Sequence, residues 1–113
     1  MANADKEKRV KKETRRLRTI FADLEPNKLK TVDALITRAA FITVSLEDLE
    51  AELNTNGWTE YYENGRNQSG QKKSAAADAH ISLTKNLNAI MKQLLELVPP
   101  KQKTSRLSEM MNR

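Results

Sequence analysis

NKLKTVDALITRAAFITVSLEDLEAELN, residues 27–54, carries apolar side chains at Val32, Leu35, Ala39, Ile42, Leu46, Leu49 and Leu53, stepping by three and four without a miss. That period is one face of an α-helix. Ile36, Phe41 and Val44 lie beside the stripe and widen it, so the helix must bury two sides. The patch from Ala39 to Val44 read alone has the branched and aromatic character of a strand, but the sustained heptad around it outvotes that reading. Asn27 is a candidate cap, and Asn54-Thr55-Asn56-Gly57 is a polar stop signal.

Downstream, Ala76, His80, Leu83, Leu87, Ile90, Leu94 and Leu97 form a second unbroken seam, which predicts a helix from Gln71 to Val98. The two helices are each about 28 residues, or roughly 42 Å at the α-helical rise. Matching lengths and periods predict an antiparallel helical hairpin. Between them, residues 57–70 hold Trp58, Tyr61 and Tyr62, followed by Asn64-Gly65, the strongest short-range signal for a two-residue β-hairpin. Such a ribbon is marginal alone and must pack on helix ends or on another subunit.

Upstream, Val10, Thr14, Leu17, Phe21 and Leu24 make one narrow stripe, which predicts a first helix capped at Asn3 or Asp5 and stopping before Pro26. The expected organisation is an all-α chain: a basic helix over 1–25, a helical hairpin over 26–98 with its aromatic turn at 57–70, and a basic tail over 99–113. Past Pro99-Pro100 the heptad breaks; Ser105 to Met111 can form a short helix, but the tail reads as mobile in isolation.

Charge is segregated. Residues 1–18 hold Lys6, Lys8, Arg9, Lys11, Lys12, Arg15, Arg16 and Arg18 against Asp5, Glu7 and Glu13, a balance of +5, which equals the net charge of the whole chain. The tail is also basic, so the middle is mildly acidic. Dense Lys and Arg neutralise phosphates and release counterions, and these eight side chains are the candidate nucleic-acid contacts. Glu47-Asp48, Glu50 and Glu52 read as a solvated face. A second apolar side on the middle helix, which one partner helix leaves uncovered, predicts contact between subunits through Phe41, Val44, Trp58, Tyr61 and Tyr62.

The chain has no cysteine, which excludes disulfides and thiolate metal sites. The first residues lack the apolar core of a signal peptide, and no apolar run approaches the roughly 20 residues of a membrane span. His80 has no metal-binding or catalytic companion in sequence and reads as a packed or rim histidine. No phosphate loop, nucleophile motif or metal set is present, so a binding protein with no cofactor is expected rather than an enzyme.

Taken in order, Trp58-x-x-Tyr61-x-x-Asn64-Gly65-x-Asn67-Gln68-Ser69, then a helix ending Leu94-Leu95-x-Leu97-x-Pro99, then Ser105-Arg106-Leu107, resembles the small subunit of tailed-bacteriophage terminases over about residues 55–108. The resemblance implies a homo-oligomeric ring that binds double-stranded viral DNA. That ring would deliver the DNA to the ATP-hydrolysing large subunit during genome packaging, in the cytoplasm of the infected bacterium. The basic tail, with Lys101, Lys103, Arg106 and Leu107, is then the candidate dock for the large subunit. Two other readings stand beside it: a dimeric helix-turn-helix transcriptional regulator, and a coiled-coil adaptor that binds protein alone.

Overall fold

A computed structural model of the chain describes residues 2–99 and 102–112. Among them run α1 (Ala2–Ile20), α2 (Pro26–Asn56), strands β1 (Thr59–Glu63) and β2 (Ser69–Lys73), α3 (Ala75–Glu96) and α4 (Lys103–Met111). The chain is mostly helical, with one small antiparallel sheet.

The first helix begins at Ala2, so Asn3 and Asp5 lie within it and neither precedes it as a cap. Asp5 instead sits in the first turn and Arg18 in the last, the arrangement the helix dipole favours. The helix ends five residues earlier than expected. Glu25, before Pro26, is extended at φ −58°, ψ 146°, as a residue preceding proline should be. The chain reverses through a turn in which the Leu24 amide donates to the Phe21 carbonyl at 3.3 Å. Pro26 then opens α2 at a position that needs no N–H, which leaves Asn27 inside the helix and not at its cap. At the other end Gly57 adopts φ 85° and its amide donates to Leu53, a left-handed stop that glycine supplies without steric cost.

Helices α2 and α3 have 31 and 22 residues, so the expected equality fails. The residues missing from α3 form β2. Gln71, Lys72 and Lys73 pair with Tyr61, Glu60 and Thr59, and α3 starts only after Ser74, whose hydroxyl accepts from the Ala77 amide at 3.1 Å. The ribbon is real, but its loop is not the expected two-residue turn. Glu63 pairs with Ser69, leaving Asn64 to Gln68 as the loop. Gln68 donates back to Gly65 and Asn67 takes the left-handed conformation at φ 65°. Trp58 lies just before β1, not in it.

Helix α2 is the centre of the assembly, with α1 on one flank and α3 on the other, while α4 leans on α1 and α3. Leu17 and Ile20 of α1 and Phe21 just after it join Val32, Ile36, Ala39 and Ala40 of α2, Leu94 and Val98 from the end of the hairpin, and Met110 of α4 in one core. Phe21, Ile36, Val44, Leu53 and Leu94 are sealed from water, each worth about 1.5–3 kcal/mol of transfer free energy. This corrects in part the expectation that the second side of α2 needs another subunit: α1 of the same chain packs on Ile36 and its neighbours, while Phe41 stays half exposed. Val44, proposed as an intersubunit contact, is 0% exposed inside the subunit. The short helix expected at Ser105 to Met111 is present as α4, but it is packed rather than mobile, with Met110 only 4% exposed.

Candidate nucleic-acid interface

The apolar stripe of α1 faces α2, so the opposite ridge faces water. Lys8, Lys11, Lys12 and Arg15 are all exposed. At 3.6 residues per turn these positions fall within about 100° of arc, directly opposite Val10, Leu17 and Phe21. Among the described residues none of the four makes an ion pair; Arg15 only donates its Nε weakly to the Lys11 carbonyl at 3.4 Å.

The other basic residues of α1 are engaged. Arg9 donates to Asp48 at 2.6 Å and to Glu47 at 3.2 Å. Arg18 holds Asp33 at 2.6 and 3.3 Å. Arg16 forks onto Glu13 at 2.8 and 2.9 Å. In each case the hydrogen bond to the carboxylate, with Asp48, Glu13 and Asp33 as the leading partners of Arg9, Arg16 and Arg18, raises the guanidinium above its ordinary pKa. Lys6 lies over the Phe41 ring, 4.4 Å from its centroid, within cation–π range. The eight candidates therefore separate into a four-residue outer ridge and four engaged side chains, of which Lys6, Arg9 and Arg18 reach α2. Sequence reading also missed the role of the acidic residues. Glu47, Asp48 and Asp33 are docking points for α1, not a purely solvated face. The available signal was the opposite charge of the two helices.

The hairpin helices are cross-linked by His80, whose Nε2 is 3.0 Å from a Glu50 carboxylate oxygen. The Trp58 ring stands edge-on to the same imidazole at 5.5 Å between centroids. Asp78 pairs instead with Lys73 at 3.4 Å. His80 is thus a half-buried strut at the foot of the ribbon, and among the described residues no group of three His, Asp or Glu could hold a metal. Among the described residues no helix is long and apolar enough to cross a membrane.

The ribbon projects beyond this strut. Tyr62 is half-buried, its ring lying 3.4–3.7 Å from where a Cβ on Gly70 would stand, while Trp58 and Tyr61 are 49% and 62% exposed. The seam of α3 is also thinly covered: Leu83, Leu87, Ile90 and Leu97 are only half-buried. Phe41, 49% exposed, lies apart from both, beside α1.

In the tail, Lys103 and Leu107 are exposed and one helical turn apart. Arg106 is not available as a surface dock: it donates to the Ile20 carbonyl at 2.7 Å and pairs with Asp23. Lys101 lies outside the described residues. Comparisons with protein-family models, curated proteins and solved structures returned no match to this chain.

Proposed function

We propose that this protein is a non-catalytic nucleic-acid-binding subunit whose α1 ridge grips the phosphate backbone of a duplex. The observation that carries the reading is the ridge itself: Lys8, Lys11, Lys12 and Arg15 stand in one exposed line with no carboxylate partner among the described residues. Four cations on one helix bind phosphate weakly and without sequence preference. Copies displayed on one scaffold raise effective concentration and strengthen binding by orders of magnitude.

The most specific form of this proposal is the small subunit of a phage terminase, a ring that presents viral DNA to its large subunit in the bacterial cytoplasm. Supporting it are the helical hairpin, the ribbon with its exposed Trp58 and Tyr61, and the half-covered α3 seam, which together offer apolar surface for neighbouring copies. Lys103 and Leu107 on α4 would meet the large subunit.

Retardation of a blunt duplex tests the binding claim, using wild type and a variant with Lys8, Lys11, Lys12 and Arg15 changed to Glu. Wild type retards the duplex at low salt and the variant does not; equal retardation rejects the ridge. Native mass spectrometry tests the assembly: a closed ring supports the terminase reading, a dimer the regulator.

A further inference from the structure

Phe41 is a large aromatic ring, half exposed, on the flank of α2 that meets α1. It has open space on two sides. One hollow, about 420 Å³, is lined by Lys6, Glu7, Val10, Lys11 and Phe41. The other, about 500 Å³, is lined by Ala34, Thr37, Arg38 and Phe41. Helical side chains lean toward the N-terminus of their helix, so the ring overhangs the turn holding Thr37 and Arg38. Ala34 and Thr37 are too small to fill the space beneath it. Lys6 covers one side of the ring at 4.4 Å. Lys11 and Arg38 border the two hollows, and among the described residues neither has a carboxylate partner.

We infer that Phe41 is a stacking platform for an unpaired nucleobase, with Lys11 and Arg38 on the flanking phosphates. The surroundings select this ligand. An apolar ring bordered by Lys6, Lys11 and Arg38, against the single carboxylate of Glu7, suits a flat, apolar group attached to anions, and a nucleotide has that composition. Lys11 belongs to the outer ridge, so a strand tracking the ridge delivers its bases beside the ring. A base within a duplex cannot reach Phe41 without unstacking, so the site takes a frayed end, an overhang or a single strand. The inference rests on the ridge binding nucleic acid and names the form of nucleic acid it prefers.

The test is fluorescence anisotropy with two labelled DNAs of equal charge, a blunt duplex and a duplex carrying a single-stranded overhang, on wild type, Phe41→Ala and Phe41→Trp. Wild type should favour the overhang by roughly five- to a hundredfold, the range of one base stacked on an aromatic side chain. Phe41→Ala should lose that preference while keeping its affinity for the blunt duplex, and Phe41→Trp should retain it. Phe41 is half exposed, so the alanine variant should fold, which an unchanged thermal midpoint checks. Equal affinity of wild type for both DNAs, or a preference that survives Phe41→Ala, overturns the site and leaves the ridge standing. A fall in assembled mass on Phe41→Ala with the DNA preference intact assigns the ring to a neighbouring copy and also overturns it. Failure of wild type to bind either DNA overturns the ridge and the site together.

Discussion

Arg16 and Arg106 cap each other's helices. Arg106 of α4 donates to the Ile20 carbonyl at the end of α1, at 2.7 Å. Arg16 of α1 donates to the Glu109 and Met110 carbonyls at the end of α4, at 2.9 and 3.0 Å. Helix C-termini leave carbonyls without partners, and a guanidinium there meets both the open acceptors and the negative end of the dipole. With nine residues, α4 is too short to persist alone in water. This exchange, together with buried Met110, is what holds it.

Arg106→Ala should therefore release α4 and leave the rest folded. The expected cost is about 1.5–3 kcal/mol, typical of hydrogen bonds involving a charged group. Hydrogen exchange should show protection lost over 103–111 and kept in α2. Arg106→Lys should recover only part, because the ammonium lacks the planar fork that reaches Ile20 and Asp23 together.

Alkaline titration tests the arginine ties on α1. The folded-state values of Arg9, Arg16 and Arg18 are raised. A raised value means the contribution is fully present below the ordinary guanidinium range and is lost only as pH climbs through it. Replacing all three with Lys moves that loss down toward the lysine range, near about 10.4. The triple variant should stay folded at neutral pH, since the pairs of Arg9 and Arg18 are exposed and worth little. It should begin to unfold at lower pH when followed by circular dichroism. Coincident alkaline limbs would contradict the assignment.

Much of this architecture was legible in the sequence, and the failures share a cause. The stripe of Val10, Thr14, Leu17 and Phe21, the heptad from Val32 to Leu53 and the ribbon between the long helices are periodic or local signals, and all are present. What period cannot specify is which helix covers a given stripe. The second side of α2 therefore suggested another subunit, when α1 was near enough in sequence to serve. The same blindness hid the Glu47–Arg9 and Glu50–His80 partners, which lie 38 and 30 residues apart. The α3 start was misplaced because Gln71, Lys72 and Lys73 suit a helix by intrinsic preference, and pairing with β1 overrides it. At the site, sequence supplied the eight cations. Only the packing of α1 separates the four that face water.

Val44 and Tyr61 should therefore behave oppositely. Val44→Ala removes a sealed side chain and should cost about 1–2.5 kcal/mol of stability with no change in assembled mass. Tyr61→Ala touches a side chain 62% exposed on the ribbon. It should leave subunit stability within about 0.5 kcal/mol and reduce assembly, read by light scattering across a dilution series.

Ser45 offers a change in the stabilising direction. Its Oγ is buried without a hydrogen-bond partner among the described residues. An unsatisfied buried hydroxyl is costly, and alanine is also the better helix former. Ser45→Ala should raise stability by about 1 kcal/mol in urea unfolding; a lower midpoint would show that the hydroxyl is satisfied in solution.

On the proposed function, four side chains of α1 face phosphate while Arg9, Arg16 and Arg18 hold the fold. The salt dependence of duplex affinity reads this directly. Two variants are compared with wild type: one with Lys8, Lys11, Lys12 and Arg15 changed to Gln, the other with Arg9, Arg16 and Arg18 changed to Gln. Each lost phosphate contact lowers the slope of log affinity against log salt by about 0.9. The ridge variant should lose roughly three to four units of slope per engaged subunit, and the arginine variant less than about one. Equal losses, or a slope the ridge variant leaves unchanged, would show that the ridge does not hold phosphate.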